Sequence, residues 1–122
     1  MPMLLLAKII IALVALFHLY ILYFEMFAWE TRGPKVFRQF PRELFPKTKA
    51  MAANQGLYNG FLAAGLIWSL LIQNPEWQKN VGIFFLGCVA VAGIFGALTA
   101  SKKILYVQGI PAIVGMLVLW LA

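Results

Sequence analysis

The sequence is poor in charged residues. Only 11% of its 122 residues are Asp, Glu, Lys or Arg, whereas 63% are hydrophobic. A soluble domain of ordinary composition carries about 25% charged residues, and a chain this short has a large surface relative to its volume. The protein therefore has too little charge to cover an apolar interior with a water-compatible surface. This composition indicates a lipid environment.

Cysteine and histidine are almost absent, with one of each in the chain, Cys88 and His18. A single cysteine excludes an internal disulfide, and in lipid its thiol behaves as a small apolar group. A single histidine excludes a multi-histidine metal site and bis-histidine haem ligation within one chain. The sequence also lacks a Walker loop, a GxGxxG fingerprint, a zinc-spaced His/Cys set and a serine nucleophile elbow. We therefore expect neither a metal ion nor a cofactor.

Long apolar stretches take the place of these motifs. Four stretches are long enough to cross a bilayer as helices, which takes about 20 mostly apolar residues each; they cover approximately residues 3–29, 49–73, 80–101 and 103–121. Helices are expected because a spanning segment has to satisfy its own backbone hydrogen bonds. The second and third connections are short and favour antiparallel neighbours. We predict an all-α membrane protein, one transmembrane domain over residues 1–122, with four transmembrane helices in an up-down bundle.

Positive charge is concentrated in the first connection, residues 30–48. Lys102 and Lys103 add charge in the third connection, whereas Glu76 and Lys79 cancel in the second. Positive loops stay in the cytoplasm, so both termini are predicted on the outer side (N-out/C-out) of a bacterial cytoplasmic (inner) membrane crossed several times. The net charge of +6 is thus a topology signal, consistent with contact to anionic membrane lipid, and no nucleic-acid binding is expected. The basic residues of the first connection are Arg32, Lys35, Arg38, Arg42, Lys47 and, directly after it, Lys49.

Two ionisable side chains lie within the first stretch. With a rise of 1.5 Å per residue, Glu25 lies about 6 Å and His18 about 16 Å below the cytoplasmic boundary near Trp29. They share a helix face but are about 10 Å apart along the axis, too far for a direct hydrogen bond. Ionisable groups inside membrane helices are costly and usually functional. The alternatives are a packing histidine whose ring nitrogens bond to amides of the second stretch, and an anchoring carboxylate paired with one of the basic residues Arg32, Lys49 or Lys102.

The second stretch, "MAANQGLYNGFLAAG", carries three amides. Asn54 and Gln55 lie roughly 8 Å deep and Asn59 about 15 Å deep, on an arc that also includes Tyr58. Depth alone predicts that Asn54 or Gln55 meets Glu25, and that Asn59 or Tyr58 meets His18. We expect this polar arc to face the first helix and only Leu57 and Phe61 to face lipid. Gln108, at roughly 8 Å in the fourth stretch, falls in the same cytoplasmic half.

Glycines form a second arc on the same stretch. Gly56 and Gly60 are spaced as a small-xxx-small pair, which allows close backbone approach by a neighbouring helix. The third stretch offers matching pairs that begin at Gly93 and Gly96. We expect these four glycines to pack helices rather than to bind a ligand. Pro111 predicts a kink in the fourth stretch.

Two motifs carry a family resemblance. The segments "LVALFHLYILYFEMFAWETRGPKVF" and "KAMAANQGLYNGFLAAGLIW" contain H-x-Y-x(4)-E-M-F and A-N-Q-G-x-Y-N-G, and the chain resembles over its whole length the bacterial family of small four-helix membrane proteins called domain of unknown function 1304. The resemblance implies an integral membrane protein and supplies no activity. The positions that match the family pattern are His18, Glu25, Met26, Phe27, Asn54, Gln55, Gly56, Tyr58, Asn59 and Gly60.

The polar groups allow three functions. The first is binding or transport of a small polar or amphipathic molecule in a pocket on the cytoplasmic side, with Glu25 or His18 as the protonatable group; transport through so short a chain would require a homodimer. The second is a structural or accessory membrane subunit, in which the polar cluster fixes helix register. The third is a membrane enzyme that acts on a hydrophobic substrate with His18 and Glu25 as acid and base.

Overall fold

In the computed structural model of the protein, which describes residues 2–122, every regular element is helical. Two of the helices, α1 and α5, are long and apolar enough to cross a membrane, and the apolar run Leu105–Leu121 is shorter. The predicted all-α class is therefore confirmed, whereas four spans and their topology stay a prediction. The elements are α1 (Pro2–Phe27), α2 (Trp29–Val36), α3 (Leu44–Lys47), α4 (Lys49–Leu71), α5 (Pro75–Thr99), α6 (Lys102–Ile104), a π-helical segment (Leu105–Gly109) and α7 (Ile110–Leu121).

The chain divides into two compact units. The larger unit contains residues 2–16 together with Leu62–Ala122, and the smaller unit is Phe17–Phe61. Both α1 and α4 contribute residues to each unit. The first connection, which we expected as a polar linker, is folded within the smaller unit and contains α2 and α3.

The larger unit has an aliphatic core. Ile11, Leu66, Leu86 and Leu119, from four different helices, are each 0% exposed. Ser69 is buried among them, and its hydroxyl donates a 2.6 Å hydrogen bond to the carbonyl of Leu66. Because that bond satisfies the hydroxyl within its own helix, Ser69 can be buried among these aliphatic side chains.

Two glycines of α5 contact residues 104–109 closely, Gly93 through backbone atoms and Gly96 through the side chain of Ile104. A Cβ atom on Gly93 would lie 2.5 Å from the Cα of Gly109, and one on Gly96 would lie 2.9 Å from Cγ2 of Ile104. Such close approach is the role we expected for these glycines in general terms. The partner differs: we expected the glycines of the second apolar stretch, whereas these contacts join α5 to residues 104–109.

The start of α5 lies at Pro75 and not near residue 80. Asn74 is the N-cap, and its side chain accepts a 3.0 Å hydrogen bond from the backbone N–H of Trp77. Proline fits the first helical position because the missing N–H would be unpaired there anyway. The polar residues between Pro75 and residue 80, which we assigned to a loop, therefore belong to the first turns of a long helix.

A π-helical segment precedes Pro111, where the sequence predicts a kink. The backbone N–H of Ile110 donates to the carbonyl of Leu105, five residues earlier. π-helical turns are rare, and they occur frequently at functional sites. The segment carries Gln108, whose side chain is half-buried and has an interaction partner.

Candidate functional site

The candidate site lies in the smaller unit, where α1 and α4 meet. Nδ2 of Asn59 donates a 2.9 Å hydrogen bond to Oε1 of Glu25 and a 3.0 Å bond to the backbone carbonyl of Gln55. Glu25 and Asn59 are both partly buried. One amide thus uses both of its N–H donors, one for the carboxylate and one for its own helix.

Glu25 is not an anchoring carboxylate paired with a basic residue. In the described residues 2–122 the single ion pair joins Nζ of Lys49 to Oε1 of Glu30, at 3.2 Å. That pair lies at the start of α4, with both side chains substantially exposed. Lys49, one of the cations we considered for Glu25, is therefore paired elsewhere, and the carboxylate of Glu25 is held by a neutral amide.

The pairing of Glu25 with Asn59 differs from the partners that depth predicted. Counting helical rise alone separates these two residues by about 9 Å in depth. In this antiparallel contact Gly60 lies against Leu22 and Gly56 against Met26, which sets a different register. Each Cβ also tilts toward the N-terminus of its own helix, so the two side chains lean toward each other. Register and lean together bring Asn59, rather than Asn54 or Gln55, to the carboxylate.

The glycine arc of α4 faces α1. A Cβ atom on Gly56 would lie 2.7 Å from Cγ of Met26 and 3.1 Å from the backbone carbonyl oxygen of Leu22. One on Gly60 would lie 2.5 Å from Cδ1 of Leu22. The glycines and Asn59 therefore pack on the same neighbour, whereas we expected the glycines to contact a different helix from the amides.

Helix geometry places Asn54 and Tyr58 about 160° around α4 from Gly56, on the side away from α1, and Gln55 about 100° from it, on the flank. Asn54, Gln55 and Tyr58 are all exposed, and Tyr58 is 57% exposed. They share this side with Phe61, whose ring centroid is 6.0 Å from that of Tyr58. The expectation that the polar arc faces His18 and Glu25 is therefore wrong for all but Asn59. We call the exposed group of Asn54, Gln55 and Tyr58 the amide face.

His18 lies apart from this face. Its side chain is 0% exposed, has an interaction partner, and meets the ring of Phe17 edge-on with 5.8 Å between centroids. Tyr58 and Asn59, the partners that depth predicted, are exposed and bound to Glu25 respectively. The imidazole therefore has the burial of a packed core side chain, and no group of three or more His, Cys, Asp or Glu in residues 2–122 could hold a metal ion.

An aromatic cap closes the end of the smaller unit. Phe45 is 1% exposed, and its ring centroid is 5.0 Å from the rings of both Trp29 and Phe40. Nε1 of Trp29 donates a 2.9 Å hydrogen bond to Oγ1 of Thr48. A Cβ atom on Gly33 would lie 2.5 Å from the Phe45 ring, so glycine is required there. Sequence analysis missed this cap, although the aromatic residues spaced along the basic connection were a usable signal.

Comparison with known proteins gives a family and a relative. The family described as "Protein of unknown function (DUF1304)" matches residues 12–120. The chain is 32% identical over 117 residues to "Uncharacterized protein YpaA" of Lactococcus lactis subsp. lactis (strain IL1403), which covers 94% of this chain and 97% of the relative. No solved structure matches the chain. The matched range includes both motifs and every residue of the candidate site. The protein therefore belongs to the DUF1304 family.

Proposed function

We propose that the protein is a multi-pass protein of the bacterial cytoplasmic membrane. Its four spans are α1, α4, α5 and residues 102–121, with both termini outside. The apolar character and length of α1 and α5 support this, as do large exposed apolar side chains such as Leu13, Leu98 and Trp120, which are 60%, 81% and 69% exposed. Side chains of this kind are stable against lipid and costly against water. The basic residues of the first connection favour its placement in the cytoplasm.

The function we propose is binding of a small polar or amphipathic molecule at the amide face of α4. The observation that carries this proposal is the exposure of Asn54, Gln55 and Tyr58 on a helix that lies among apolar side chains. Amide groups in hydrocarbon need hydrogen-bond partners, because leaving them unpaired costs several kcal/mol. A ligand with hydrogen-bonding groups supplies these partners.

Glu25 gives the proposed ligand a charge preference. Its carboxylate is bound by Asn59 and has no cation beside it within the described chain. The exposed rings of Tyr58 and Phe61 flank the amides and can stack on a flat ligand. The amides and rings of this face favour a flat amphipathic molecule, and the negative charge of Glu25, on the α1 side of α4, favours a cation without touching it. Proton-linked transport of such a cation would couple its binding to protonation of Glu25 through this charge.

Ethidium, a flat aromatic cation, is a suitable probe. We expect saturable ethidium fluorescence with the purified full chain in detergent, and at least about tenfold weaker binding when Asn54 and Gln55 are both changed to Leu, because two hydrogen-bonding groups are lost. Glu25→Gln should weaken binding and make it independent of pH. Glu30→Gln, which removes an exposed carboxylate outside the site, is the matched control. No saturable binding by the wild type, or equal binding by the double variant, would overturn the proposal.

A second candidate function is that of a structural subunit, and the contacts between α1 and α4 favour it. The bond between Asn59 and Glu25, with Gly56 packed beside it, fixes the register of α1 against α4. In that case the amide face pairs with a second copy of the chain or another membrane helix. Changing Asn54 and Gln55 to Leu would then lower the molecular mass of the detergent-solubilised particle, measured by light scattering, and leave ethidium binding unaltered.

A further inference from the structure

A second polar site lies in the larger unit, between the C-terminal end of α4 and the N-terminal end of α5. A cavity of about 400 Å³ opens there between the first turns of α5, the N-terminal part of α1 and the turn after α4. This volume is in the range of small-molecule sites, about 300–1,000 Å³. The residues that line it are Leu4, Lys8, Ile72, Gln73, Pro75, Glu76, Gln78, Lys79, Asn80 and Ala122.

Gln78 is the unusual member of this lining. Its side chain is 4% exposed, and its Nε2 atom has no hydrogen-bond partner among residues 2–122. Buried polar groups in folded proteins nearly always have a partner, because an unpaired one loses its hydration without compensation. Nε2 is a donor only. The missing partner is therefore a hydrogen-bond acceptor, and the cavity that Gln78 lines has room for one.

The charges around the cavity define that acceptor further. Lys8 and Lys79 both line the cavity and are half-buried. Nζ of Lys79 makes one long contact, 3.5 Å, to the carbonyl of Trp120, and an ammonium group has three donors. The cavity also lies at the N-terminus of α5, a helix of 25 residues, and the positive end of the helix dipole favours an anion. Two cations, one amide donor and a helix N-terminus are the groups that bind phosphate.

Glu76 and the apolar lining point to the source of the phosphate. Glu76 is the single carboxylate side chain of the described lining, and a carboxylate beside a phosphate site can accept hydrogen bonds from an ammonium group. Leu4 and Ile72 add apolar wall to the same cavity. In the membrane orientation proposed above, the C-terminal end of α4 and the N-terminal end of α5 lie at the level of the lipid headgroups.

We propose that this cavity binds a phosphate group, with Lys8, Lys79 and the Nε2 donor of Gln78 as its ligands, and that a phospholipid headgroup with an ammonium supplies it. The site is separate from the amide face and involves none of its residues. It shares with the proposed function only the location in a membrane.

Thermal unfolding of the purified full chain in detergent, followed by tryptophan fluorescence, tests this site. Binding to the folded state raises the midpoint temperature. We expect phosphatidylethanolamine and, less strongly, phosphatidylglycerol to raise the midpoint, and diacylglycerol, which lacks the phosphate, to leave it unchanged. Inorganic phosphate is the fourth probe: a rise with phosphate alone shows that the free ion suffices, whereas a rise with phospholipid only assigns the site to headgroups.

Gln78→Leu separates binding from a merely structural role. Without added lipid the variant should be at least as stable as the wild type, because an unpaired buried donor has been replaced by an apolar group of similar size. With phosphatidylethanolamine, its apparent affinity should fall about tenfold, as expected for loss of one hydrogen bond to a charged group. Lys79→Gln should act in the same direction, and Glu76→Gln should remove the preference for phosphatidylethanolamine.

Lys35→Gln is the matched control, because it removes an exposed lysine of α2 outside the cavity. It should leave the lipid-dependent rise intact. The proposal is overturned if no probe raises the midpoint of the wild type, if diacylglycerol raises it equally, or if Gln78→Leu shows the wild-type rise. Because ethidium is not involved, failure here is distinct from failure of the proposed amide-face function.

Discussion

The side chains of Asn59 and Glu25 join α4 to α1 through a single hydrogen bond of 2.9 Å. In the membrane arrangement proposed above this bond joins two membrane helices, and such bonds contribute about 0.6 kcal/mol on average and up to about 1.7. A double-mutant cycle of Asn59→Ala and Glu25→Ala should therefore give a coupling energy near 1 kcal/mol. The measurement is unfolding of the detergent-solubilised protein in mixed micelles of increasing SDS content, followed by circular dichroism.

The control for this cycle is the exposed pair of Lys49 and Glu30. Its 3.2 Å contact is solvent-accessible on both sides, and pairs of this kind contribute about 0–1 kcal/mol and are screened by salt. Its coupling should fall with added salt, whereas that of Asn59 with Glu25 should persist. Strict additivity of the two changes at Asn59 and Glu25 would contradict the hydrogen bond.

Gly56 and Gly60 should differ in their tolerance of alanine. At Gly56 a Cβ meets Cγ of Met26 at 2.7 Å and the backbone oxygen of Leu22 at 3.1 Å, whereas at Gly60 it meets only the side chain of Leu22. The far end of a leucine can rotate away, but a backbone oxygen cannot. Gly56→Ala should cost about 1–3 kcal/mol from overpacking. Gly60→Ala should be close to neutral, since the helix gains up to about 1 kcal/mol on losing a glycine. The same SDS titration compares the two, and equal losses would refute this geometry.

Gly93 and Gly87 form a second matched pair on one helix. A Cβ on Gly93 would be 2.5 Å from the Cα and the backbone nitrogen of Gly109, whereas one on Gly87 would be 3.6 Å from Cε of Met116. Gly93→Ala therefore forces α5 away from the π-helical segment and should be strongly destabilising, by about 3 kcal/mol or more. Gly87→Ala should stabilise by up to about 1 kcal/mol. The measurement is the thermal midpoint in detergent, and a destabilised Gly87→Ala variant would count against the contact.

The aromatic cap should protect the basic connection from trypsin. Phe45 is 1% exposed at the centre of the cap, whereas Phe37, whose ring centroid is 6.0 Å from that of Trp29, is 47% exposed at its edge. Phe45→Ala should cost about 3–5 kcal/mol of cap stability and speed cleavage after Arg38 and Arg42 by opening the segment. Phe37→Ala should change the cleavage rate much less. Mass spectrometry of the fragments over time gives both rates, and identical rates would contradict a folded cap.

The helical class could be predicted from the sequence because it depends on bulk properties. Apolar length and the need to satisfy backbone hydrogen bonds sufficed to identify helices at α1 and α5. The start of α5 was misplaced because only apolar residues were counted. Asn74 followed by Pro75 is a sequence signal for the start of a helix. Using this signal would have placed Gln78 on α5.

The contacts of the candidate site could not be predicted in the same way. Helical rise predicts how far along α4 Asn59 lies, but it does not predict the register of α4 against α1, which is set by the glycines that allow the two helices to touch. The tilt of each Cβ toward the N-terminus of its own helix then brings the two side chains together. Rotation about the α4 axis could be settled only by knowing what Gly56 packs against. Once Gly56 faces α1, Asn54 and Tyr58 must face outward.

The π-helical turn at Leu105–Gly109 changes the rotation of the residues before it, including Ile104, relative to α7. Such a turn contains one residue more than the α-helix would use, and one residue rotates a helix by about 100°. A single-residue deletion within 105–109 would therefore restore regular winding and turn Ile104 away from Gly96 while α7 keeps its place. Relatives that lack this extra residue should carry a larger side chain at the position of Gly96, because Ile104 would no longer pack against that position.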